Sequence, residues 1–364
     1  MRKIRSTILF LLILFSGCLE NRVAPELNLI TESAIEFLAY LESKGDYINS
    51  FAINDFVSAA EVYANRNSYL IIDVRSNSEF IQGHIENAIN IQPQNLFEYV
   101  KSIKDNPYPK IVIVSESGQS SAYYTALFQL INYSNVYSME YGMAVWHQDF
   151  AGIWLNAVRD FRAGHNHFTN EEYSKTAFTN LPQISVQGGS VSDKIQNRVK
   201  QIVAAGFDEK LVDSSNFPKH SDLANPSIIV ETIYNNYQSQ TNSFPDYFLV
   251  CFGHTELYKA HKMNGPFADQ GHLPTAVHFL PMLSLRSTND LQTLPNSKPV
   301  VIYDVNGLVA PKITAYLRLL GYDARSLLFG ANNLFYSRVD WAANLKPFAF
   351  KPEMIMNFPF VTGK

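Results

Sequence analysis

Three sets of residues in this 364-residue sequence have types that could do chemistry. The stretch IVIVSESGQS, Ile111 to Ser120, runs four β-formers into a polar loop. Ser115 at its start would be an oxygen nucleophile only with a base beside it, and no spacing identifies one; the plainer reading is a loop residue bonded to backbone. Cys251 stands in the apolar run DYFLVCF. It reads first as a small core residue and second as a nucleophile. His254, His261, His272 and His278 crowd the same segment, and His165-Asn166-His167 lies upstream. Neither group has recognised ligand spacing, so no metal is expected.

The elements that must position these residues occur twice. SYLIIDVRSNSEF, GHIENAINI and PKIVIVSESGQSSAYYTALFQLINYSNVYSMEYGMAVW follow one another between residues 65 and 146. DYFLVCFGHTELY, GHLPTAVHFLP and KPVVIYDVNGLVAPKITAYLRLLGYDARSLLFGANNLF follow one another between 245 and 335. Gly83-His84 matches Gly271-His272, Ala88 matches Ala276, Gly118 matches Gly307, and Cys251 takes the place of Asp73. An internal repeat of this length means two copies of one supersecondary plan. Continuous apolar runs alternating with helical patterns imply strands covered on both faces, hence a parallel α/β sheet in each half. Pro311 sits where a first helical turn tolerates it. A helical pattern precedes each half, ITESAIEFLAYLESKG and SDKIQNRVKQIVAAG, and the polar segment 161–190 reads as a connector.

Length alone favours two domains. Composition is globular, with 46% hydrophobic, 13% aromatic and 17% charged residues and a formal net charge of -4. Without a basic excess or a Lys/Arg run in the body, nucleic acid is excluded as an expected partner. At the N-terminus Arg2, Lys3 and Arg5 precede an apolar run, Ile8 to Phe15, and then Ser16-Gly17-Cys18. This run is too short to span a bilayer and reads as a processed address. It resembles a bacterial lipoprotein signal, which implies that Cys18 becomes a lipidated N-terminus and that the membrane is a partner through that anchor. The implied location is the cell envelope, at the outer membrane or the periplasmic face. Loss of the three basic residues takes 29 to 26 against 33 acidic ones, a net charge near -7. Cys251 is then the remaining thiol, so no intramolecular disulfide is expected.

IDVRSNSEF, GHIENAINI, the strand-loop-helix at 111–130 and YGMAVW together resemble the rhodanese family, and the arrangement is similar to its tandem two-domain sulfurtransferases. The resemblance is strong over 65–150 and weaker over 245–335. It implies two doubly wound parallel sheets, and a six-residue loop, Cys-x-x-Gly-x-Arg, whose thiolate carries a sulfane sulfur. In that family loop N–H groups and a helix N-terminus make a positive nest that lowers the thiol pKa and holds an anionic donor. Here Ser115 stands at the cysteine position and Ser120 at the arginine position, beside Glu116. In the second half Asp304 and Val309 stand there, around Asn306 and Gly307. Neither a hydroxyl nor a carboxylate carries a transferable sulfane sulfur, so both loops are expected to be inactive. Asp304 is expected to turn its carboxylate onto the loop N–H groups, filling the nest. Tyr141 replaces the first glycine of the family's Gly-Gly-x-x-x-Trp region, and Trp146 is expected to pack the end of its domain. Tyr123, Tyr124, Phe128 and Leu130 read as the apolar side of a helix.

The resulting expectation is a signal peptide over 1–18, a tether over 19–30, rhodanese-like domains over 31–160 and 191–347 joined by the connector, and a tail over 348–364. The function expected is non-enzymatic: binding or scaffolding of an envelope protein or a small anionic ligand, with no cofactor. Binding positions are Arg75, Glu116, Ser117, Gly118, Gln119, Ser121, Asn306 and Gly307. Arg75 and Glu79 are also expected to brace the loop and the helix after it. The alternative is a sulfurtransferase using Cys251, or a partner's thiol.

Overall fold

The computed structural model describes residues 30–50, 55–104, 108–161, 168–177, 180–210, 221–260, 267 and 271–363. Cys18, His165, His167 and His261 lie outside the described residues.

The first half runs β1 (Ile30–Ser33), α1 (Ala34–Ser43), β2 (Phe56–Val57), α2 (Ala59–Asn65), β3 (Leu70–Asp73), α3 (Asn77–Gln82), β4 (Ile89–Asn90), α4 (Pro93–Ser102), β5 (Ile111–Val114), α5 (Gln119–Leu130), β6 (Val136–Met139), α6 (Met143–Trp146) and α7 (Gly152–Leu155). The second runs β7 (Gln183–Val186), α8 (Val191–Ala205), β8 (Ser227–Ile228), α9 (Val230–Tyr234), β9 (Phe248–Phe252), α10 (Thr255–Tyr258), β10 (Val277–Phe279), β11 (Val300–Tyr303), α11 (Ala310–Leu319), β12 (Ala324–Leu327) and α12 (Tyr336–Trp341). The sheets have the orders β2-β6-β5-β3-β4 and β8-β12-β11-β9-β10, so each position in one has its counterpart in the other. Every pairing within them is parallel. The apolar runs read from sequence become β3, β5 and β11, buried along their whole length because helices cover both faces.

Two features tie the halves together. β1 and β7 pair antiparallel in a two-stranded sheet of their own, so part of the segment read as a connector is a strand. α5 packs on α11, and of the two helices only Gln129 is not buried. α5 is therefore enclosed all round rather than along one apolar side, because α11 covers the face that an isolated domain would leave to water. A single core consequently runs from the first sheet through these helices into one face of the second. The other face of the second sheet has a separate core that contains Cys251.

The C-terminal tail crosses back to the first half. Met356 and Phe358 donate backbone N–H bonds to Val145 and Trp146, both at 2.9 Å, and the Trp146 indole N–H donates to Pro359 O at 3.0 Å. Val361 bridges to His84, and the Phe358 ring stacks on Tyr63 at 4.2 Å. Among the described residues no helix is long and apolar enough to cross a membrane.

Candidate functional site

Each half places its polar loop between the central strand and the helix that follows, at the C-terminal end of the sheet where ligands of such folds enter. Gly118 and Gly307 make the loops possible. Their φ values are +88° and +71°, and an added Cβ would lie 2.7 Å from the backbone of Tyr141 and of Phe329 respectively. Tyr141-Gly142 and Phe329-Gly330 are the matching turns, and all four residues have positive φ.

In the first loop Ser115 Oγ accepts the Gly118 N–H at 3.1 Å and donates to Glu209 Oε1 at 2.8 Å. The same carboxylate accepts the Ser117 N–H at 2.9 Å and the Ser120 N–H at 2.5 Å. Glu209 lies four residues beyond α8 and is 7% exposed, so its charge is held chiefly by N–H and O–H dipoles. Sequence reasoning missed it. The signal available was indirect: a nest filled by Asp304 in one half raised the question of what fills the other.

In the second loop the carboxylate comes from the loop itself. Asp304 Oδ1 accepts the Gly307 N–H at 2.5 Å and Oδ2 accepts the Val309 N–H at 2.7 Å. Burial pushes its pKa up to about 6, against the opposing pull of those N–H bonds. The loops also reach across to the opposite half. Gln119 Oε1 accepts the Phe329 N–H at 2.8 Å, and Asn306 Nδ2 donates to the Tyr141 hydroxyl at 3.1 Å.

These contacts revise several expected binding positions. Gln119 is buried and joins the two halves; Ser121 is buried with its hydroxyl bonded to Gly118 O and Ser138; Ser117 is buried against Glu209 and the Trp154 indole. Gly118 and Gly307 lie against the opposing turns. All five serve the loop scaffold, each of them buried against or bonded to neighbouring parts of the chain. Arg75 spends its guanidinium on Asp73 at 2.6 Å and on Gly83 O at 2.7 Å, while Glu79 forms a capping box with Ser76. Arg75, Glu116 and Asn306 do line cavities.

The first cavity, about 500 Å³, is lined by Arg75, Glu79, Glu116, Ser120, Glu209 and Lys210 among others. Burial, with the charges of Glu209 and Glu79 added, raises the Glu116 carboxyl to about 7. The second, about 520 Å³, opens over Asp304 and is walled by residues of both halves, including Phe56, Glu140, Phe252, Leu308 and Phe348. Cys251 lines neither. It is wholly buried, and burial pushes its thiol up to about 12, which disfavours the thiolate that a relocated nucleophile needs.

Three of the described histidines, His84, His272 and His278, are accounted for by packing. His84 stacks on Phe80 with Nδ1 2.8 Å from Phe80 O, and His272 stacks on Tyr258 with Nδ1 2.7 Å from Tyr258 O, one arrangement repeated in both halves. Burial lowers the His272 pKa to about 4. His278 stacks on the same Tyr258 ring, and His254 is exposed. Among the described residues no three His, Cys, Asp or Glu side chains converge to hold a metal.

Residues 58–149 match the family model of the rhodanese-like domain. A thiosulfate sulfurtransferase of Shewanella oneidensis, GlpE, is 28% identical over 98 residues, which are 27% of this chain and 90% of that protein. Among solved structures, a rhodanese-related protein from Thermoplasma volcanium is 30% identical over 24% of this chain and 84% of its own, with a TM-score of 0.22. A thiosulfate sulfurtransferase from Pseudomonas aeruginosa is matched over 84% of this chain and 49% of its own, at 15% identity and a TM-score of 0.27.

Proposed function

Because the chain belongs to the rhodanese-like family, we infer its function from what it does with the family's loop, and propose a binding protein that does not carry sulfur. One observation bears this reading: in both halves the nest of loop N–H groups is filled by a carboxylate of the chain itself, Glu209 in the first and Asp304 in the second. A donor anion would have to displace a charge that is already buried and bonded, and Coulomb repulsion at that distance opposes it. Neither loop supplies a thiol to receive the sulfur, and Cys251 is enclosed in the core.

Glu209 then has a positive role. It docks the segment after α8 into the first loop and so latches the two halves, leaving the second cavity as the site that a ligand reaches. A lipid anchor at Cys18 would hold this module at the cell envelope. Palmitate labelling of the wild-type chain, absent in Cys18→Ser, is the result expected for the anchor.

The test of the function is sulfur transfer from thiosulfate to cyanide by the purified protein beside Cys251→Ser and an active sulfurtransferase. No turnover above background is expected. Turnover by the wild type that is lost in Cys251→Ser would return the chain to the enzymes.

A further inference from the structure

The second cavity has a charge opposite to that of an anion site. Two of its lining residues are carboxylates, Asp304 and Glu140, none is a lysine or an arginine, and the one basic side chain is the exposed imidazole of His254. The position where the family loop has arginine is Val309, which lines the cavity as an apolar wall. Asp304 spends its oxygens on loop N–H groups, whereas Glu140 has no ion pair among the described residues. Glu140 sits just past β6 with its backbone N–H on Val57 O at 3.0 Å, which fixes where its side chain starts. Burial also holds its carboxyl above the ordinary range, as expected of a carboxylate short of compensating charge. Lys312 lies on the Phe56 ring at 4.1 Å, but it is outside the cavity lining and its ammonium is 3.5 Å from Asp55.

Apart from His254, Asn306 and Asn344 the side chains of the remaining walls are apolar or aromatic, with Phe252, Leu308 and Phe348 in positions to cover a hydrocarbon body. An apolar enclosure of this size with a few convergent polar groups has the form of a small-molecule site. An unpaired carboxylate at its wall favours a cation, and aromatic faces favour a cation further. We propose that this cavity takes a small organic ammonium, a protonated amine on an apolar body, with the amine at Glu140 and the body against Phe252, Leu308 and Phe348. The proposal rests on the reading of the chain as a binding protein and assigns the charge of its ligand.

The probes are three molecules with one ring and different heads: 2-phenylethylamine, 2-phenylethanol and 3-phenylpropanoate, titrated calorimetrically into the full chain at neutral pH. The ammonium should bind about tenfold more tightly than the alcohol, and the carboxylate more weakly than either. Glu140→Gln should bring the ammonium down to the alcohol's affinity and leave the alcohol unchanged. Val309→Arg should reverse the order and favour the carboxylate. Carboxylate binding equal to that of the ammonium overturns the proposal while leaving a binding protein. So does an ammonium preference that survives Glu140→Gln, or no binding by any probe at ~10 mM. Sulfur transfer in the thiosulfate assay is the separate result that removes the binding reading itself.

Discussion

Ser115 Oγ donates to Glu209 Oε1 at 2.8 Å across 94 positions of sequence. That bond puts a carboxylate of the second half in the first half's loop, so the loop serves as a socket for its own chain. A thiol restored at position 115 would meet a like charge. We expect Ser115→Cys to form thiolate poorly and to alkylate slowly with iodoacetamide. Ser115→Cys/Glu209→Gln should react about tenfold faster, the effect of about one pKa unit in thiolate fraction. Cys251 is wholly buried and adds little background. Equal rates in the two variants would mean that Glu209 does not govern the loop.

Glu116 makes the first cavity sensitive to pH. Burial and the neighbouring carboxylates put its carboxyl at about 7 in the folded chain against an ordinary value of 4.5. Between those values the folded state holds a proton that the unfolded state has released, so this group lowers stability as pH rises from about 4.5 to about 7. Glu116→Gln removes that dependence. The variant should match the wild type near pH 4 and exceed it by about 1 kcal/mol at pH 8, after allowance for screening at a half-buried site. Urea unfolding at the two pH values measures the difference, and a gain confined to low pH would contradict the assignment.

Tyr141 sets two effects against each other. Its φ of 59° is left-handed, which costs an L-residue roughly 1–2 kcal/mol and would cost glycine little. Against this, its ring is 2% exposed, lies edge-on to Trp154 at 5.2 Å, and its hydroxyl accepts the Asn306 amide. Truncating a buried aromatic costs about 3–5 kcal/mol, so packing wins. Tyr141→Gly should lose about 2–3 kcal/mol in urea unfolding. A stabilised variant would show that backbone strain dominates at this turn.

The parts legible in sequence are those written in local pattern. Apolar runs such as Ile111–Val114 and Val300–Tyr303, each followed by a glycine-bearing loop and a helix, repeat in order, and the paired sheets follow from them. The Gly-His signals at 83–84 and 271–272 were readable as structural for the same reason. What was not legible depends on where distant segments meet. Nothing near Glu209 marks it as the partner of Ser115, and nothing within α5 says that α11 will cover its second face. Gln119 and Ser121 looked available because a loop read alone has an open side. The tail over 348–364 is rich in apolar residues but gives no periodicity by which to place them, yet Phe358 and Val361 reach the first half.

That tail makes the last test. Phe358 stacks on Tyr63 at 4.2 Å and meets the Trp146 ring edge at 5.2 Å, while its backbone N–H bonds to Trp146 O. The ring is half-buried, so Phe358→Ala should cost about 1–2 kcal/mol, less than a full core truncation. Deleting residues 351–364 should cost more, since it also removes the backbone bonds made by Met356, Val361 and Gly363 and the acceptor of the Trp146 indole. Water reaching Trp146 would shift tryptophan emission to the red. If the truncated chain keeps the wild-type spectrum and urea midpoint, the tail rests on the first half without holding it, and the clasp has no energetic role.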